Sequence, residues 1–511
     1  GQESQLTSDG TQHIINGKFD WVYEEEFGIS DGWQWSPDGK MIAFWRLDEN
    51  RVPEFKLMDF MDIRADATPM RYPKAGDANS IVKIGVVSLD TKKTVWMDLG
   101  TDDDMYIPRM QWSHRPNTLI LTRLNRLQNK VELMAGDAAT GKTAVFFTEE
   151  EKTWIEERYQ AHFLKTRDQF AWISERDGFS HVYLFDMNGK LILQITKGRW
   201  DVSGIALMDE KNNQIFFNGA AKTPLENQLH SVKLDGSGMQ QLTLDGYSHR
   251  TTLSPSGAHF IDYSSSASSP TKIALRSSDG KTIRVVEENE IPALKEYTLS
   301  KQEFFTFKTT DGIELNGWMM KPADFDAARK YPLLLYVYGG PGSQTVTNSW
   351  GGTNFLWYQM LAQKGYIVAS VDGRGTGARG KEFKSITYKN LGKWEVNDQI
   401  EAAKYFGSQV YVDKTRIGIW GWSYGGYMSS LTILQGADYF KTAIAVAPVT
   451  HWKFYDTIYT ERYMQRPQDN EEGYKESAPV THASKLKGNL LIVHGTTDDN
   501  VHWQNTVQFV D

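Results

Sequence analysis

Hydrophobic and polar positions follow two rhythms along this 511-residue chain. Up to about residue 300, apolar residues come in short runs such as Met41-Ile42-Ala43-Phe44-Trp45, punctuated by Gly, Pro, Asp and Ser. Short strands bounded by turn residues predict an all-β region. From about residue 301 the rhythm changes. Phe304 to Leu315 reads as a hairpin around Asp311-Gly312. Tyr331 to Tyr338 is a continuous apolar strand, which suits burial on both faces of a sheet. Helical runs at Phe355 to Lys364 and Trp394 to Phe406 then alternate with strands at Tyr366 to Val371, Arg416 to Trp420, Ala443 to Val446 and Leu490 to Val493. That alternation predicts a doubly wound, mostly parallel sheet. The pattern therefore divides the chain into a β domain over 1–300 and an α/β domain over 301–511.

The β domain carries echoes of itself. Gln5-Leu6-Thr7-Ser8-Asp9-Gly10 returns as Gln241-Leu242-Thr243-Leu244-Asp245-Gly246 and, more weakly, as Gln194-Ile195-Thr196-Lys197-Gly198. Trp35-Ser36-Pro37-Asp38-Gly39 is matched by Leu253-Ser254-Pro255-Ser256-Gly257. Each is expected at a strand end. Repeated four-stranded units of this kind predict a β-propeller, with a pair of β-sandwiches as the alternative. At ~40–50 residues per blade the region holds about six blades. One stretch breaks the rhythm: Phe19-Asp20-Trp21-Val22-Tyr23-Glu24-Glu25-Glu26-Phe27 sets three adjacent acids among aromatics. Such a run is commonly a solvated face. The other reading is a carboxylate clamp for a cation, since neighbouring carboxylates resist joint burial without a positive partner.

The chemistry centres on Ile417 to Tyr427. A strand runs into Gly421-Trp422-Ser423-Tyr424-Gly425, and an apolar helical run follows. G-x-S-x-G between strand and helix is the nucleophile elbow of serine hydrolases. Its turn lifts the Ser423 hydroxyl clear of the sheet and aims the Tyr424 N–H at a developing oxyanion. Tyr338-Gly339-Gly340-Pro341 closes an earlier strand, where a second oxyanion donor is needed; a backbone N–H or the Tyr338 hydroxyl could supply it. Asp372-Gly373-Arg374-Gly375-Thr376-Gly377 lacks the G-K-[ST] of a phosphate loop and reads as a structural turn. The strand Leu490 to Val493 ends in His494-Gly495-Thr496-Thr497-Asp498-Asp499-Asn500-Val501-His502. Chain order in this fold is Ser, acid, His, so Asp498 or Asp499 is the expected acid. A base should follow. His494 and His502 fit that order poorly, so the base is expected beyond Asp511, in a chain cut short there.

Composition narrows the picture. The chain has no Cys, which excludes disulfides, thiol catalysis and Cys-ligated zinc. A net charge of -8 argues against nucleic acid as a partner. No apolar run is long enough to span a bilayer. The first residues, Gly1-Gln2-Glu3, read as an internal or processed start.

Taken together, five segments resemble the prolyl oligopeptidase family of serine peptidases, in its bacterial, Bacteroidetes-type dipeptidyl peptidase IV branch. They are Gly421 to Tyr427, Asp20 to Glu26, Ala447-Pro448-Val449 with Trp452, Tyr455 to Tyr463, and His494 to His502. The resemblance implies an eight-bladed propeller, partly missing here at its N-terminal side, capping an α/β-hydrolase domain that lacks its C-terminal end. It implies Ser423 as nucleophile, Asp498 as triad acid, and the Tyr338 hydroxyl and Tyr424 N–H as oxyanion donors. Glu25 and Glu26 would hold the free amino terminus of a peptide. Tyr455, Tyr459, Trp452, Val449 and Val501 would line a slot for proline, and Asn500 would help hold the substrate carbonyl. No metal and no organic cofactor is implied. The expected activity is release of X-Pro, less readily X-Ala, dipeptides by a periplasmic or secreted homodimer. An acylaminoacyl or tripeptidyl peptidase, or an inactive peptide-binding propeller, are the alternatives. The family's early-blade arginine is not seen in this sequence, and Gly342 stands where the family has a cysteine.

Overall fold

The computed structural model describes residues 3–61, 63–156 and 160–511, so Gly1 and Gln2 of the proposed processed start lie outside it. Five antiparallel sheets, formed by strands between Ile14 and Glu287, occupy the first part of the described chain. Four have four strands each. The first has five, because Trp33–Trp35 and Ile14–Asn16 both pair with Met41–Asp48. Adjacent sheets share apolar cores, as where Phe147 meets Phe170, Trp172 and Phe185 at ring distances of 4.9–5.5 Å. This is the blade arrangement of a β-propeller.

The count is five, not six. Glu54–Asp59 and Asp66–Arg71 pair only with each other and form a hairpin outside the blades. A further stretch from 288 to 301 holds one 3-10 turn, Pro292–Glu296, and no strand. Those residues lengthen the region without adding a blade. The Gln5 echo departs as well. Gln194, Gln241, Trp35 and Leu253 do sit at strand ends, whereas Gln5 to Gly10 is irregular and precedes the first strand.

From Gln302 the chain builds a seven-stranded sheet. Its order is Gln302–Lys308, Glu314–Met320, Ile367–Asp372, Tyr331–Tyr336, Val412–Trp422, Thr442–Val446 and Asn489–Val493. The first two strands join antiparallel and the remaining five run parallel. Tyr331–Tyr336 lies between Ile367–Asp372 and Val412–Trp422, so the chain steps first to one side of it and then to the other. Ligands in open α/β sheets bind at the carboxyl ends of the strands beside such a switch point. The turn after Asp372 is structural: Asp372 accepts from Thr345 and Val346, and Arg374 grips Asp398. Among the described residues, no helix is long and apolar enough to cross a membrane.

The two regions meet through a short stretch of shared backbone. Ala75 N–H donates to the Tyr455 carbonyl at 2.9 Å and Thr457 N–H to the Pro73 carbonyl at 3.0 Å. Arg126 forks onto Glu461 with two 2.7 Å bonds. Glu461 is buried, and a guanidinium fork is the geometry best matched to a buried carboxylate. The helix Thr457–Met464 is therefore held by propeller residues as well as by its own domain.

Candidate active site

Ser423 sits where Val412–Trp422 turns into the helix Tyr424–Gln435. Its φ of 59° and ψ of -116° lie in a region L-residues rarely adopt, which is the strain of an elbow. The flanking glycines are obligatory. A Cβ on Gly421 or Gly425 would stand 2.3 or 2.2 Å from the Val337 carbonyl oxygen. Tyr424 is the first residue of the helix, so its N–H has no intrahelical acceptor and is free for an incoming anion. Val337 N–H donates to the Trp420 carbonyl at 3.0 Å, which sets the following residue, Tyr338, beside the elbow. Its ring lies 6.0 Å from that of Tyr424. Burial raises the Tyr338 hydroxyl pKa, followed by the charges of neighbours that include Glu26 and Glu25, so the group stays protonated as a donor.

Asp498 accepts backbone N–H bonds from Asn500 at 3.1 Å and Val501 at 2.9 Å. Burial pushes its carboxyl up, but the His494 imidazole and those two N–H groups outweigh it, and the net shift is downward. Asp499 turns away and accepts from the Trp21 indole at 3.2 Å. Neither nearby histidine faces the nucleophile. His494 spends Nδ1 on Thr506 and Nε2 on the Val501 carbonyl, both at 2.7 Å. His502 is fully buried, stacked 3.6 Å from the Phe55 ring of the hairpin.

The acidic run forms a seven-residue helix, Trp21–Phe27. Asp20 caps it by accepting from Tyr23 N–H at 3.0 Å, and Gly28 closes it with φ 60°. Val22, Tyr23 and Phe27 are buried, and helical spacing leaves Glu24 and Glu25 exposed and Glu26 half-buried. Glu25 reaches the acid loop directly: Asn500 Nδ2 donates to its carboxylate at 2.6 Å. The same amide accepts from the Tyr455 hydroxyl at 2.7 Å. Asn500 thus links the propeller helix to an aromatic box. Trp452 stacks on Tyr459 at 5.9 Å, and Tyr455 meets Tyr459 edge-on at 5.3 Å. Val449 and Val501 belong to the same buried cluster. Burial, then Tyr338, Tyr463 and Glu26, raise the Tyr459 hydroxyl well above its usual pKa.

Several residues at this site carry no sequence motif. Tyr72 donates to the Asn500 carbonyl at 3.0 Å. Gln128 donates to the Ile458 carbonyl and accepts from Arg462. Glu395 accepts from the Tyr424 hydroxyl at 2.9 Å. Only Glu395 left a trace in the sequence, as an acid in a helical run it shares with the apolar Val396, Ala402, Ala403 and Phe406.

Burial raises the Glu395 carboxyl to about 7, against hydrogen bonds that lower it. The folded chain therefore holds a proton that the unfolded chain has released between about pH 4.5 and 7, and stability falls as pH rises through that window. Glu395→Gln is expected to raise the thermal midpoint at pH 8, by up to about 3 kcal/mol of stability, and to leave it unchanged at pH 4. Melting curves at the two pH values check this; an equal shift at both would sink it.

Comparisons with known proteins agree with this arrangement. Residues 1–271 match the description "Dipeptidyl peptidase IV (DPP IV) N-terminal region", and residues 354–511 match "Prolyl oligopeptidase family". A "Probable dipeptidyl-aminopeptidase B" of Talaromyces marneffei is 35% identical over 99% of this chain and 60% of its own length. One from Coccidioides posadasii is 36% identical over 99% and 59%. The chain thus spans about 60% of the length of these curated relatives. The crystal structure of Porphyromonas gingivalis dipeptidyl peptidase 4 superposes with a TM-score of 0.96 at 40% identity, over 100% of this chain and 72% of that one. With blades, α/β sheet and elbow all in place, the chain belongs to the prolyl oligopeptidase family, in its dipeptidyl peptidase IV branch.

Proposed function

We propose that the protein is a serine exopeptidase that releases dipeptides with proline, or less readily alanine, at the second position. The observation that carries the reading is the Glu25–Asn500–Tyr455 chain of hydrogen bonds, which ties the paired acids to the aromatic box at the elbow. A peptide ammonium has three donors and needs clustered acceptors, which Glu25 and Glu26 offer. Two extended residues span only ~7 Å, so an amino terminus held there brings the second peptide bond to Ser423. A flat pyrrolidine ring suits the slot between Tyr455, Tyr459, Trp452, Val449 and Val501.

The chemistry follows from the positions. Ser423 Oγ attacks the scissile carbonyl as an imidazole takes its proton. The fold's chain order puts that imidazole C-terminal to Asp498, which would orient it and stabilise its charged form. The oxyanion develops between the Tyr424 N–H and the Tyr338 hydroxyl, and Asn500 steadies the carbonyl before it. The leaving amine departs with the proton, and water then releases the dipeptide from the acyl-enzyme. Removing one oxyanion donor costs about 10²–10³ in kcat, so Tyr338→Phe is expected to fall by that factor with KM nearly unchanged. Steady-state kinetics of the variant check it.

The deciding experiment is hydrolysis of Gly-Pro-anilide by the full-length protein, beside the same substrate with its amino group acetylated. Turnover of the free form alone is expected. Turnover of both would favour the acylaminoacyl alternative. Turnover of neither would favour a peptide-binding propeller. A periplasmic or secreted location and a homodimer belong to the same proposal, to be checked by cell fractionation and solution mass.

A further inference from the structure

We infer that Glu395 is a positioning residue for the oxyanion hole. Its carboxyl, gripping the Tyr424 hydroxyl, fixes the peptide plane whose N–H meets the developing oxyanion. The inference rests on the serine-hydrolase reading above and adds to it a residue that touches no substrate.

The geometry begins at the elbow. Ser423 is held at φ 59° and ψ -116°, a strained conformation that persists only where its surroundings over-determine it. The Tyr424 N–H follows directly from that strained residue. Rotation of the Ser423–Tyr424 peptide would relieve the strain and turn the N–H away from the substrate. What opposes rotation is the Tyr424 side chain, which is 2% exposed. Its ring is boxed by Tyr427 at 5.2 Å, Trp452 at 5.6 Å and Tyr338 at 6.0 Å. Its hydroxyl is tethered to Glu395 Oε1 at 2.9 Å. The tether is anchored in the helix Lys393–Gly407, outside the elbow strand and helix.

Glu395 is a costly choice of anchor. It is 2% exposed, and its Oε2 has no hydrogen-bond partner among the described residues. An unsatisfied buried acceptor forfeits its hydration with nothing in return. The neighbouring acid on the same helix is treated differently: Asp398 is neutralised by Arg374, which also pairs with Asp311. No cation pairs with Glu395 among the described residues. The charged and titratable groups around it are Asp398 with its Arg374, Tyr424 and Tyr427. A leucine opposite a phenylalanine would fill this space without a polar penalty. Burial also raises the carboxyl to about 7, so near neutral pH the grip on the tyrosine is shared between its neutral and charged forms, and less than a full negative charge stands behind the oxyanion.

The test uses the full-length protein and the variants Glu395→Leu, Glu395→Gln, Tyr424→Phe and the Leu/Phe double. Three quantities are measured: kcat and KM on Gly-Pro-anilide, inhibition by the boronic acid analogue of Gly-Pro, which mimics the tetrahedral state, and inhibition by the product dipeptide. Glu395→Leu and Tyr424→Phe are each expected to lower kcat about tenfold or more and to weaken the boronic acid by the same factor. Inhibition by the dipeptide should stay within twofold. The double variant should be no worse than either single. Glu395→Gln keeps an acceptor and should stay within threefold of wild type. Tyr424→Phe removes one hydroxyl and keeps the ring, so it remains informative should the leucine variant not fold. Unchanged kcat in Tyr424→Phe, or equal weakening of boronic acid and dipeptide, would overturn the inference. Wild type that fails to hydrolyse the substrate overturns the peptidase reading, and this inference with it.

Discussion

Ser423→Ala is expected to lower kcat by about 10⁵–10⁶ while leaving the fold and peptide binding intact. In the proposed mechanism the hydroxyl is the bond-forming group, and Ser423 is the residue the elbow presents. The residual rate should remain above the uncatalysed one, because the Tyr424 N–H and the Tyr338 hydroxyl still polarise the carbonyl for attack by water. Alanine also suits the site sterically, although it inherits the strained backbone at φ 59°. Two measurements check the expectation together. Burst kinetics should show no acyl-enzyme, and calorimetric binding of a dipeptide product should match the wild type. A variant that lost binding as well would mean that Ser423 holds the elbow in shape rather than attacking the substrate.

The second large effect belongs to the acids. Glu25→Ala combined with Glu26→Ala is expected to reduce kcat/KM on free amino-terminal substrates by about 10²–10⁴. Hydrogen bonds to charged groups contribute about 1.5–3 kcal/mol each, and two carboxylates are removed. Glu25 also holds the Asn500 amide, so its loss loosens the residue that accepts from Tyr455. Glu25→Ala alone should therefore lower kcat as well as raise KM, whereas Glu26→Ala should act mainly on KM. A double variant with full activity on Gly-Pro-anilide would remove the clamp from the mechanism. Activity on the acetylated substrate that rises as activity on the free one falls would show that the acids set the cleavage register.

What the sequence disclosed depended on whether a residue's reason for being there is local. A Cβ on Gly421 would stand 2.6 Å from the backbone of Gly425, one turn on, so the elbow could be read from eleven residues. The parallel sheet announced itself through continuous apolar strands such as Tyr331–Tyr336. The blades number one fewer than the length predicts because Glu54–Asp59 and Asp66–Arg71 pair with each other outside the blades. Periodicity within a strand says nothing about its partner. The same limit hid Tyr72, Arg126 and Gln128. Each acts on a segment more than 300 positions away in sequence, and no local pattern distinguishes them from ordinary surface polar residues. The acidic run was visible as an anomaly, but only the Asn500 bond gives Glu25 an address in the second domain.

The backbone shared by Pro73 to Ala75 and Tyr455 to Thr457, with the Arg126–Glu461 fork beside it, has a consequence for inheritance. The proposed proline slot is not the property of either domain. Its tyrosines are encoded in the hydrolase, but the helix that carries Tyr459 is also held by the propeller. A chimera that joins this hydrolase to a foreign propeller would keep a reactive serine and lose its sense of sequence. Selectivity in such a molecule is therefore written on both sides of the seam, whereas the reactive serine is written on one.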